Sequence, residues 1–272
     1  MKTDRPSSIQ RRFDLVEVSL IVVLAVVIGW IVGRPRIDNP VQSVTEIEAF
    51  RDKYGPDHYS EREEEWLIRD YFQNRREGIF VDVGANHYRL ASKTYYLESQ
   101  LGWSGLAIEP QKEFSADYAQ HRPRTKFLPF FVSDASNETA KLYITRRSSL
   151  VASGDKNFVQ RFGSIAEARD VPTITLNDLL VSEGIHHVDF LSMDIELHEP
   201  EALRGFDIGR FKPSLVCIEG LAPVRQAILD YFARNNYVLV GKYMWVDLEN
   251  LYFVPLDTRE PQQSAQKNVE KD

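Results

Sequence analysis

Five short, continuously apolar runs alternate with helix-like stretches along this chain, and that alternation narrows its fold more than any other feature. The runs are Gly78-Ile79-Phe80-Val81-Asp82-Val83-Gly84, Gly105-Leu106-Ala107-Ile108-Glu109, residues 126–132, Val188-Asp189-Phe190-Leu191-Ser192-Met193-Asp194 and residues 214–219. Between them, residues 91–101, 111–120, 176–183 and 199–203 space their apolar side chains as helices do. A strand that is apolar at every position has both faces covered, and strands alternating with helices form a parallel sheet. The predicted fold is therefore α/β, a mostly parallel sheet with helices on both faces. Residues 237–240 and 251–254, around Trp245, are expected to close the sheet as an antiparallel pair. Ahead of the first strand, Ser60 is placed to cap a helix whose first turn is 61–65, with Trp66, Leu67, Tyr71 and Phe72 on its apolar side.

Composition sets the outer limits. The 272 residues are 43% hydrophobic and 27% charged, ordinary for a globular chain. A formal net charge of −7 repels phosphate backbones, so no nucleic-acid partner is expected. The single cysteine, Cys217, excludes an internal disulfide framework and reads as a buried strand residue. Residues 18–33 carry no charge and, with Leu15 and Val16, make an apolar stretch interrupted once by Glu17. At about 1.5 Å per residue it reaches nearly 30 Å, enough for one transmembrane helix and hence a single-pass membrane location, with the side of the large domain left open. The predicted organisation is a polar segment (1–14), a transmembrane anchor (15–33), a linker with a short helix near its end (34–59), the α/β domain (60–256) and a polar, disordered tail (257–272).

In an open parallel sheet, ligands bind beyond the carboxyl ends of the strands. Polar residues stand at those ends. The first strand runs into Asp82, Gly84, Ala85 and Asn86, the second into Glu109-Pro110, the third into Ser133-Asp134, and the fourth into Asp194-Ile195-Glu196. Gly84 lets the backbone turn close to a ligand. Glu109 is placed to accept both hydroxyls of a ribose, and Ser133-Asp134 to meet an adenine amine. The chain lacks G-x-G-x-x-G, so a dinucleotide pyrophosphate is poorly served. A ligand with a ribose and no phosphate fits better, and S-adenosyl-L-methionine is such a ligand.

The segments GIFVDVGAN (78–86), SKTYYLESQLGWSGLAIEP (92–110), VPTITLNDLL (171–180) and VDFLSMDIELHEPEALRGFD (188–207) resemble the FkbM-type methyltransferases in order and spacing, over about 66–254. The resemblance implies a Rossmann-like seven-stranded domain of the class I methyltransferases that binds S-adenosyl-L-methionine and methylates a hydroxyl. Carried onto this chain, Asp82, Gly84 and Asn86 would line the methionine side, Glu109 the ribose, and Ser133-Asp134 the adenine edge. Asp194, Glu196 and Glu199 match the acidic positions of the family's D-x-E-G-x-E motif. Two departures stand out: His87 and Tyr88 in the first loop, and Leu197 where the family has glycine, with His198 beside it. Asp194 or His198 is expected to act as general base, with Glu196 at the same centre. The acceptor is expected to be a hydroxyl on a carbohydrate, lipid-linked glycan or secondary metabolite. Asp194, Glu196, His198 and Glu199 also suit a divalent metal, but carboxylates this close in sequence need not converge, and no metal is expected. The competing function is a catalytically silent, membrane-tethered adaptor, favoured by His87, Tyr88 and Leu197.

Overall fold

The computed structural model describes residues 40–146 and 151–256. The chain divides into residues 1–44 and 45–272, and the sheets and the helices packed on them belong to the latter. Helix α1 (Pro40–Tyr54) occupies most of the expected linker, and α2 (Glu64–Phe72) precedes the first strand. The central elements follow as β1 (Ile79–Val83), α3 (Tyr95–Leu101), β2 (Ser104–Ile108), α4 (Ser115–His121) and β3 (Thr125–Leu128). Then come β4 (Phe131–Val132), β5 (Thr139–Thr145), β6 (Ala152–Ser153), α5 (Lys156–Phe162) and β7 (Ile165–Ile174). The last part holds α6 (Leu176–Ser182), β8 (Phe190–Met193), α7 (Glu199–Arg204), α8 (Ile208–Phe211) and β9 (Leu215–Glu219). It ends with α9 (Arg225–Arg234), β10 (Tyr237–Leu239) and β11 (Asn250–Pro255).

The main sheet has seven strands in the order β10-β11-β9-β8-β1-β2-β3. Neighbours from β9 to β3 are parallel, whereas β11 runs antiparallel to both β9 and β10. The sheet is therefore mixed. Alternation along each strand feeds two cores. Val81, Val83, Leu191, Met193, Val216 and Ile218 pack on one face with Leu176, Leu179 and Leu203 of α6 and α7. Phe80, Phe190, Leu215 and Cys217 point to the other, against Leu67, Phe72, Leu97 and Trp103. Cys217 is a buried free thiol, as the apolar run implied.

Three expectations need correction. No helix among the described residues is long and apolar enough to cross a membrane. That overturns the single-pass location read from residues 15–33; this stretch, like the tail 257–272, lies outside the described residues. The helix expected from Glu61 begins instead at Glu64, because the Ser60 hydroxyl accepts from the Glu65 N–H (3.1 Å) and donates to the Arg62 carbonyl (2.6 Å), closing a turn over 60–63. The third strand, read as 126–132, is broken at Pro129, which has no N–H for the ladder. Its second piece, β4, joins a separate sheet of order β4-β7-β5-β6. There β5 and β7 form an antiparallel pair whose Leu142, Ile144 and Val171 cover Phe131.

Candidate functional site

The site is built on the turn after β1. Gly84 has φ +83°, and a Cβ there would stand 1.9 Å from the Asp194 carbonyl oxygen. Only glycine lets this turn pass so close to the loop after β8. The N–H groups of Gly84 and Ala85 donate to the Ile108 carbonyl at 2.9 and 3.2 Å, and the Asp194 N–H donates to Val83 at 2.9 Å. Three parallel strand ends are thereby tied together by backbone alone. Beneath Ala85, the Tyr118 hydroxyl donates to its carbonyl at 3.2 Å.

Glu109 follows β2. Its carboxylate accepts from the Asn86 N–H (3.3 Å) and the Gln111 N–H (2.9 Å), so both oxygens are oriented by main chain. Burial pushes its pKa up to about 7 against those bonds. Across the cleft, Asp194 pairs with the buried Lys93 ammonium at 2.8 Å. Burial works against the lysine's charge, but Asp194 outweighs it and Lys93 is held well above its ordinary range. Lys93 also donates to Asn250 Oδ1 at 3.3 Å. Glu196 and Glu219 make no ion pair among the described residues, and the nearby Lys93 charge offsets their burial only in part. Burial, then the neighbouring carboxylates, push Glu196 up to about 8 and Glu219 up to about 10.

Glu109, Asp194, Glu196 and Glu219 line one open cleft. Its polar wall includes Gly84, Asn86, Glu109, Asp194, Glu196 and Glu219, and its apolar wall includes Ile108, Phe130, Val132, Leu142 and Ala152. Ala85 and Pro110 also line it. Asp82 does not; it lies in a smaller adjoining cavity with Lys93 and Asp194, its carboxylate accepting from Thr94 Oγ1 at 2.8 Å.

Ser133, Asp134 and His198 do not line the cleft either. Exposed Asp134 is drawn outward by Arg204 at 3.0 Å, and that guanidinium holds its pKa below the usual range. Ser133 Oγ lies 3.1 Å from His198 Nε2. The imidazole stands edge-on to Phe131, and its burial lowers its pKa. Ser133-Asp134, expected at the adenine edge, and His198, expected as a base, thus stand outside the residues that line this cleft, next to Phe131 and Val132, which do line it. Glu199 lies fully buried behind the cleft, one oxygen accepting from the Ile195 N–H at 3.0 Å. Among the described residues no group of histidine, cysteine and carboxylate side chains is arranged to hold a metal.

The two departures in the first loop do not fill the cleft. His87 Nδ1 accepts from the N–H groups of Arg89 and Leu90 at 3.1 and 3.0 Å. Tyr88 stacks between His87 and His121, 4.6 Å from each. Both rings buttress the turn from outside. Sequence reasoning missed Glu219, Lys93 and the pair Glu61 and Glu64, which also line or support the cleft. Glu219 was open to the same strand-end rule that selected Glu109 and Asp194.

A mixed sheet of this order, with a polar cleft at the carboxyl ends of adjacent parallel strands, defines an α/β domain of methyltransferase type. The chain belongs to the FkbM methyltransferase family: the sequence model of the methyltransferase FkbM domain matches residues 82–239, more than half of its length. No curated protein matches the chain.

Proposed function

We propose that the cleft binds S-adenosyl-L-methionine and that the protein methylates a hydroxyl oxygen of a carbohydrate, lipid-linked glycan or secondary metabolite. The observation that carries this reading is the convergence of the Gly84 turn, Glu109 and the Asp194–Glu196 pair on one cleft. The residues fit the donor. Gly84 leaves room that a Cβ would fill. Glu109, fixed by two N–H groups, keeps lone pairs for adjacent ribose hydroxyls. Ile108, Phe130 and Leu142 offer an apolar surface to a base. When bound, the donor supplies a methyl group on a positively charged sulfur, already activated for displacement.

What this chain must add is position and a place for the acceptor's proton. Glu196 suits the second task. A carboxylate raised to about 8 is a stronger base than an exposed one, and it lines the cleft two residues from Asp194. Its backbone is fixed by Ser153 Oγ, which donates to the Glu196 carbonyl at 2.7 Å. Asp194, clamped by Lys93, would face the donor's cationic groups.

Calorimetric titration with S-adenosyl-L-methionine tests the binding step. The wild type should bind, and Glu109→Ala should weaken binding at least about tenfold through loss of a bidentate contact. Glu196→Gln should lower turnover at saturating donor by about 10²-fold or more on a polyhydroxyl acceptor, read as S-adenosylhomocysteine formed. An absence of donor binding by the wild type would sink the proposal.

A further inference from the structure

The cleft carries far more carboxylate than cation. Asp194 and Glu196 enter from the loop after β8, Glu219 from the end of β9, and Glu109 from the end of β2. Glu61 faces it from the turn before α2, Glu64 from the first residue of α2, and Glu249 from the approach to β11. Among the described residues, the cations set against them are Arg62, taken by Glu249 at 2.7 Å, and Lys93, taken by Asp194 at 2.8 Å. Two further features point to a missing positive charge. Glu199, fully buried beside Asp194, leaves Oε2 without a partner. Glu219 Oε2, at the cleft wall, is likewise buried and unpartnered. Buried carboxylates are expected to be paired with a cation or fully hydrogen-bonded, and neither holds for these oxygens.

We propose that these carboxylates make the cleft a receptor for a permanent cation, gripping the sulfonium form of the methyl donor and releasing the neutral thioether that remains after transfer. The inference rests on the donor reading above and adds to it a means of separating donor from product. The ligands differ by one methyl group and one charge, and the methyl alone offers little to recognise. Charge offers much more in a site screened from water. In the free protein the crowded carboxyls at Glu196 and Glu219 hold protons; a bound cation favours their ionised forms, and each O–H that ionises passes its proton to the buffer. Loss of the positive charge reverses the step, so the product leaves as protons return.

The test is calorimetry of the full chain with S-adenosylmethionine, S-adenosylhomocysteine and sinefungin, an analogue whose amine replaces the sulfonium. Each is titrated near pH 7 in two buffers of different ionisation enthalpy, so that released protons are counted directly. Both cationic ligands should bind at least about tenfold more tightly than the thioether, the equivalent of one unit of carboxyl shift, and should release more protons. Glu219→Gln should narrow both the affinity difference between the cationic ligands and the thioether and the difference in protons released. Equal affinities and equal proton counts for all three ligands overturn the inference while the donor reading stands. Failure of all three to bind removes the donor reading, and the inference with it.

Discussion

Leu197 adopts φ +77°, and Glu196 before it φ +56°, two consecutive non-glycine residues in the left-handed region. An L side chain there crowds the following carbonyl by roughly 1–2 kcal/mol. The family pattern has glycine at the second of these positions, so this chain retains the backbone and accepts the strain. The loop is held from both sides, by Ser153 on the Glu196 carbonyl and by Glu199 on the Ile195 N–H. Strain held this way keeps the Glu196 carboxylate at the cleft wall. Leu197→Gly should therefore be neutral or stabilising by up to about 1 kcal/mol, relief of strain being partly offset by the glycine's greater freedom when unfolded. Leu197→Val, β-branched at the same φ, should lose about 1 kcal/mol or more. Urea melts of the pair decide it: a valine variant as stable as the glycine variant would show that the loop carries no strain.

Between elements, the sharpest dependence is on a buried ion pair. Arg122, at the end of α4, is 1% exposed and pairs through Nε with Glu98 of α3, itself 6% exposed. Its other nitrogens donate to the Tyr88 carbonyl (2.8 Å) and Thr94 Oγ1 (3.2 Å), and Thr94 donates on to Asp82. One guanidinium thus joins α3, α4 and the loop after β1 behind the cleft. Arg122→Met should cost about 3–5 kcal/mol in chemical denaturation, because it leaves Glu98 buried without its cation. Glu98→Gln with Arg122→Met should recover part of that loss, and a single-variant loss below about 1 kcal/mol would refute the argument. None of this pairing is visible in sequence, where the partners stand 24 positions apart. What is visible is whatever has a local period. Strands β1, β2, β8 and β9 are mostly apolar because both their faces are covered, so they and the carboxylates at their ends could be read directly. The pair β5 and β7 was missed because it is half exposed: Lys141, Glu167 and Asp170 interrupt the apolar signal, and only Leu142 and Ile144 keep its alternation.

At the scale of the whole molecule, the cleft sets how stability depends on pH. Burial raises Glu109 to about 7, Glu199 to about 7, Glu196 to about 8 and Glu219 to about 10, all from an ordinary value of 4.5. Above pH 4.5 the unfolded chain releases these protons while the folded chain keeps them, so folding is penalised progressively until the pH passes the folded value. Stability from these groups is complete in acid and lost with rising pH. Groups held low run the other way, Asp70 and His198 among them. Asp70, lowered to about 2, loses its contribution only below pH 4. His198, lowered from 6.5 by burial, loses its contribution as pH falls through that value. Between pH 7 and 9 both are silent, and Glu196 and Glu219 dominate among the cleft groups. Each site protonated only in the folded state contributes a slope of up to about 1.4 kcal/mol per pH unit. Thermal melts at constant ionic strength should show the wild type losing stability steadily from pH 7 to 9. The Glu196→Gln, Glu219→Gln double variant, whose amides cannot ionise, should show a markedly shallower decline and a higher melting temperature at pH 9. Parallel curves for the two proteins would mean that these carboxyls titrate alike in the folded and unfolded chain, and the charge crowding read from the cleft would have no energetic consequence.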